Sequence, residues 1–146
     1  MGRAGFTLVE LLVVMAIIGL LVAVAPMVAR GVLPSLQAKA DAKEVLASLR
    51  SARAQAIRDN QETAVVFDVE ARRYGAAGTP GDELGSGVEM KVVTAQREVI
   101  ETGVGRILFF PDGASTGGEV TLAADGQSYK ITIDWFTGRV RMADRP

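Results

Sequence analysis

GFTLVELLVVMAIIGLL, Gly5 to Leu21, decides the architecture of this chain. From Leu11 to Ala29 no residue carries a formal charge. At 1.5 Å per residue a helix over that run spans about 28 Å, close to the ~30 Å hydrocarbon thickness of a bilayer. A membrane helix over residues 6–29 is the first expectation. Arg3 and the amino terminus favour a cytoplasmic N-terminus, although Arg30 and Lys39 on the far flank weaken the bias. One residue does not fit a plain anchor. Glu10 sits at the edge of the apolar run, and a carboxylate at the centre of a spanning helix costs about 2.5–3.5 kcal/mol. A secretory signal does not account for the segment either, because Pro26 follows the small-x-small pair Ala23 and Ala25 and blocks cleavage there.

Past this segment Pro26, Gly31 and Pro34 predict a break in the helix, with Ser35 as a cap where helix resumes. The next stretch, SLQAKADAKEVLASLRSARAQAIRDN, places Ala38, Ala42, Val45, Leu49, Ala52 and Ala56 at spacings of four and three. That is one apolar stripe on an amphipathic helix, built to pack on a sheet. The opposite face, net basic through Arg30, Lys39, Lys43, Arg50, Arg53 and Arg58, reads as solvated, with a subunit contact as the alternative.

After Asn60 the period falls to two. TAVVFDV (63–69) and RRYGAA (72–77) predict a hairpin, and the Gly-rich stretch 77–87 a loop with freedom to move. VEMKVVT (88–94) and REVIE (97–101) are expected to pair around Ala95 and Gln96. GRILFF, EVTLAA, SYKITIDW and RVRM come next, separated by turns at PDGASTGG, DGQ and FTG. This makes about eight short strands. The expected fold is α+β: a long N-terminal helix, membrane-spanning in its first half, continuing over 30–60 and packed on an antiparallel β domain at 61–146.

Composition excludes much. The chain has 146 residues, no Cys and no His, and a net charge of −1. Thiol chemistry, disulfides and histidine catalysis are absent, and no basic excess points to nucleic acid. Acidic residues show no paired-carboxylate or calcium-loop spacing, so neither catalysis nor a metal is expected, and no cofactor is called for. Gly117 and Gly118 lack the helix and Lys-Ser/Thr pair of a phosphate loop. Trp135 reads as a core or rim anchor. Arg139 and Arg141 alternate with Val140 and Met142 on one face of a terminal strand, where charge protects a sheet edge; with Arg145 they are also the candidates for contact with a partner or with DNA.

GFTLVELL, beside its hydrophobic run, resembles the type IV prepilin signal. The resemblance implies a leader at 1–5, cleavage by prepilin peptidase after Gly5, N-methylation of Phe6, and Glu10 as the signature acid. Ala4 stands where that family often has a basic residue. On a helix the new ammonium of Phe6 and the carboxylate of Glu10 lie four residues apart on one face. Glu10 then neutralises its own terminus or that of a neighbouring subunit, which makes it an assembly determinant. ILFFPDGASTGGEVTL with YKITIDWFTGRVRM resembles the H-type minor pseudopilins of type II secretion and the related type IV minor pilins, through Phe110, Pro111, Gly113, Gly118, Ile133, Gly138 and Arg141. The resemblance implies a non-enzymatic subunit anchored in the bacterial inner membrane with its C-terminal domain in the periplasm. It would assemble with other minor pseudopilins and the major pseudopilin at the pseudopilus tip, to help export folded proteins. The alternative it leaves open is a minor pilin contacting DNA for uptake, which the acidic net charge disfavours.

Overall fold

The computed structural model describes residues 7–79, 81–94, 99–101 and 103–145, with side chains for all of these except 23–33, 99–101 and 144–145. They form two compact units, residues 1–33 and 34–146.

Helix α1 runs Leu8–Asp59. The expected break at Pro26, Gly31 and Pro34 does not occur, and Ser35 lies inside the helix and not at a helix start. A proline deletes only one i→i−4 bond, and a helix of 52 residues keeps the bonds on both sides of each such gap. In the first unit, every described side chain from Thr7 to Val22 is exposed, including Leu11, Ile17 and Leu21. Among the described residues no helix is long and apolar enough to cross a membrane, and the described side chains of the uncharged run end at Val22.

The second unit is built on the outer part of α1. Its predicted stripe is the buried stripe: Ala38, Ala42, Val45, Leu49, Ala52 and Ala56 all lie in the core. Four of the six are alanines, which let a helix lie close to a sheet. Among the described residues nine strands succeed it: β1 Thr63–Asp68, β2 Arg73–Ala76, β3 Asp82–Glu83, β4 Glu89–Thr94, β5 Val99–Glu101, β6 Val104–Phe109, β7 Gly118–Ala124, β8 Gln127–Ile133 and β9 Val140–Arg145. They make two antiparallel sheets, ordered β3-β2-β1-β6-β5 and β4-β7-β8-β9. Alternate residues point inward, Val65 and Phe67 on β1 and Ile107 and Phe109 on β6 from one sheet, Val120, Leu122, Ile131 and Ile133 from the other. Burying Phe67 and Phe109 completely contributes about 1.5–3 kcal/mol each.

The predicted pairing of 88–94 with 97–101 is wrong. β4 pairs with β7, from Glu89 opposite Ala123 to Thr94 opposite Gly118, whereas β5 pairs with β6. Residues 95–98 lie outside the described ones. Proximity in sequence favours a hairpin; here each strand instead pairs within a different sheet. One bond ties the two sheets at this point, from the Thr94 hydroxyl to the Arg106 carbonyl at 2.9 Å.

The 77–87 stretch is not all loop. β3 pairs with β2, and Leu84 is buried. Asp41, itself buried on α1, accepts from the Gly85 N–H and from the Gln37 amide, both at 2.8 Å. Nearby, the Tyr74 phenol is pushed up to about 12 by burial and then by the carboxylates of Glu44, Asp82 and Asp41. Asp41→Ala leaves the Gly85 N–H without its acceptor, a cost of about 1–3 kcal/mol. The expected result is faster amide exchange confined to residues 82–88; unchanged exchange there would mean that Leu84 alone seats the segment.

Candidate functional site

Two regions carry the functional residues. At the N-terminus, Thr7 precedes the first helical residue and its hydroxyl accepts from the Glu10 N–H at 3.3 Å, while its carbonyl accepts from Leu11 N–H at 3.2 Å. Thr7 is therefore the N-cap and Glu10 the third helical residue, the spacing of a capping box. The signal for this in the sequence is TLVE, Thr7 to Glu10. Glu10 is exposed and in the first turn, where the helix dipole favours a negative charge. Gly5 and Phe6 lie outside the described residues. A helical end that is apolar on all sides and holds one carboxylate among exposed Leu and Val side chains is a surface to be covered, by lipid or by other helices.

The second region is the β8–β9 turn. Asp134 opens it as a side-chain-capped turn: its carboxylate accepts from the Thr137 N–H and hydroxyl, both at 2.7 Å. Those bonds, N–H first, hold the Asp134 carboxyl below its ordinary value. The carboxylate is fully exposed, so the effect on stability is small; it is present above the ordinary carboxylate pKa and lost as pH falls through the lowered one. The turn closes through Gly138 N–H to Asp134 carbonyl at 2.9 Å, with Asp134 N–H to Arg139 carbonyl at 3.1 Å.

Beneath the turn lies α1. Arg53 donates through Nε to the Gly113 carbonyl at 3.0 Å and through Nη2 to the Thr137 carbonyl at 2.9 Å. Arg50 donates to the Val140 carbonyl at 3.2 Å. The basic face of the helix is thus not simply solvated. At Arg50 and Arg53 it locks the helix to the β8–β9 turn and to the Pro111–Gly113 turn, which forms as expected with the Asp112 carboxylate accepting from Ala114 N–H at 2.9 Å. The planar guanidinium of Arg53 spans two carbonyls that a lysine could not hold together.

Trp135 and Phe136 project from this turn. They are 68% and 72% exposed and meet edge to face with ring centroids 5.6 Å apart. The core placement considered for Trp135 is excluded. The backbone at Gly117 runs close under Trp135, and a side chain there would come within 2.9 Å of the Trp135 Cβ. Arg139 and Arg141 are exposed, and with Thr132, Asp134 and Thr137 they line a shallow groove. β9 is the edge strand of its sheet, as the edge-protection reading requires. Arg145 ends β9 opposite Ser128 of β8, its side chain outside the described ones. Lys130 and Glu119 form an ion pair at 2.8 Å on the neighbouring strands. No cluster of possible metal ligands occurs among the described residues.

Comparison with known proteins covers both regions. The family model for type II transport protein GspH matches residues 41–138, and the prokaryotic N-terminal methylation motif matches residues 1–26. The chain is 31% identical over 137 residues to type II secretion system protein H of Xanthomonas campestris pv. campestris, covering 94% of this chain and 81% of that one. Among solved structures, the minor pseudopilin EpsH of Vibrio cholerae superposes with a TM-score of 0.60 at 18% identity, over 77% of this chain and 97% of EpsH. The type IV minor pilin FimU of Pseudomonas aeruginosa gives 0.51 at 16%, over 72% and 91%. At these identities both structures speak to the fold.

Proposed function

Because the chain belongs to the type II transport protein GspH family, we propose, on the strength of its methylation motif, that it is matured by cleavage after Gly5 and methylation at Phe6 before it joins a pseudopilus. It is a structural minor pseudopilin of type II secretion. Prepilin peptidase is the maturing enzyme in this reading. The first half of α1 then sits in the inner membrane as a single span, with the β domain in the periplasm. Glu10 acts in assembly: in lipid its carboxylate is a liability, and the ammonium at Phe6 of a neighbouring helix relieves it. The other minor pseudopilins and the major pseudopilin supply those neighbours, near the filament tip. No part of this function needs bond-making chemistry; burial and charge pairing suffice.

The observation that carries the reading is that the methylation motif and the family match occupy the two ends of one chain, at 1–26 and 41–138. The test is a strain lacking the gene, with secreted proteins quantified by mass spectrometry and twitching and DNA uptake scored alongside. Loss of exoproteins with normal twitching is the expected result. Normal secretion with lost pili or lost uptake would overturn it and move the chain to the type IV pilus branch.

A further inference from the structure

The β8–β9 turn joins three features that subunit assembly through the N-terminal helix does not use. It presents two large aromatic rings to solvent. It is held rigidly, by the Asp134 cap, by Arg53, and by Ser115 N–H donating to the Trp135 carbonyl at 2.9 Å. It lies between two shallow grooves that share Thr137 and Arg139, one continuing to Arg50 and Arg53, the other to Arg141 and Asp134. Exposed aromatics on a fixed backbone lose little entropy on binding, and Trp and Arg are the residues most enriched where interfaces concentrate their energy.

We propose that Trp135 and Phe136 are the anchor by which this subunit docks the globular domain of a different subunit of the same filament, inserting into an apolar pocket rimmed by Asp and Glu side chains that pair with Arg139, Arg141 and Arg50. The proposal rests on the pseudopilus reading above and names the partner's chemistry at one place. A protein surface fits better than a polyanion. The groove carries Asp134 beside Arg139 and Arg141, and this mixed charge around an aromatic centre is the composition of a protein interface, not of the uniformly basic stripe that tracks a phosphate backbone.

The test uses the full-length chain, expressed in the deletion strain. A photoreactive phenylalanine analogue replaces Phe136, with Gln127, exposed at the start of β8, as the control position. The expected result is an adduct at 136, and none at 127, with another chain that begins with a methylation motif. Trp135→Ala/Phe136→Ala keeps the wild-type unfolding temperature, because both rings are exposed, and retains that partner roughly 30-fold less well or worse. Arg139→Glu/Arg141→Glu weakens it in the same direction, and a partner with reversed rim charges restores it. An adduct with DNA or phospholipid, or a double aromatic variant that retains its partner and restores secretion fully, overturns the proposal. A deletion strain that secretes normally overturns instead the reading on which it rests.

Discussion

Glu10→Gln is expected to leave the chain in the membrane fraction at the wild-type level while lowering its incorporation into filaments, and with it secretion, by a hundredfold or more. Removing the carboxylate makes membrane insertion easier, by up to about 2.5–3.5 kcal/mol on insertion scales, so failure to insert is not the cause. The loss falls on the partner of an ammonium at Phe6 in a low-dielectric packing of helices. Breaking such a pair from one side costs about 3–5 kcal/mol, and each 1.4 kcal/mol is tenfold in the equilibrium. The helix cap offers a competing explanation, since the Thr7 hydroxyl accepts from the Glu10 N–H and the spacing is that of a capping box. Two substitutions separate them. Glutamine still serves at the third helical position of a capping box but has no charge. Thr7→Ala keeps the charge and loses the cap, a cost of about 1 kcal/mol. Severe loss with Glu10→Gln and a mild effect with Thr7→Ala is the charge-pairing result, read by shearing filaments and by quantifying exoproteins. Normal filaments with Glu10→Gln would remove Glu10 from any role in assembly.

Gly138→Ala is expected to destabilise the β domain by about 3–5 kcal/mol. Gly138 has φ of +60°, where a Cβ costs about 1–2 kcal/mol. Crowding costs more: that Cβ would meet the Gly113 carbonyl oxygen, and would lie 2.9 Å from Arg53 Nε. The carbonyl is backbone and is itself the acceptor for Arg53, so relief requires moving the turn and breaking a hydrogen bond to a charged group, worth about 1.5–3 kcal/mol. For a domain of this size 1 kcal/mol moves the midpoint by about 4–8 °C, so the unfolding temperature falls by more than about 10 °C. Because Gly138 and Arg53 act through one contact, Arg53→Ala and Gly138→Ala together cost less than their sum. A midpoint for Gly138→Ala within about 2 °C of the wild type, roughly 0.5 kcal/mol or less, would show that the helix-to-turn lock tolerates a side chain there.

Glu10 and Gly138 were both visible in the sequence, but they were not equally readable. Glu10 drew attention because a charge in an apolar run is anomalous wherever the chain goes. Gly138 could be seen only as part of a turn; its reason for being glycine is the carbonyl of Gly113, far back along the chain, and an arginine from the helix. Arg53 looked like any solvated cation on a polar helix face, since a cation bonded to backbone carbonyls leaves no mark of complementary charge in the sequence. Asp41 was lost among the charges of the same face for the same reason, its acceptor role directed at a backbone N–H. Trp135 has the composition of an anchor on either side of a sheet, and only its exposure in the folded domain shows that the ring is turned outward.

Local order was legible in the residues: the alanine stripe that the helix buries, most of the places where strands and turns alternate, the DG hairpin at Asp125 and Gly126, and the methylation motif at 1–26. Each of these comes from a period or a turn residue read over a few positions. The division of the strands between two sheets, the pairing of β4 with β7 and the pinning of α1 to the last turn through Arg50 and Arg53 appear only in the assembled fold. Those choices are made by backbone groups brought together from distant parts of the chain. All residues but proline present the same N–H and C=O to such contacts, so side-chain identity encodes them only through the packing of the whole core.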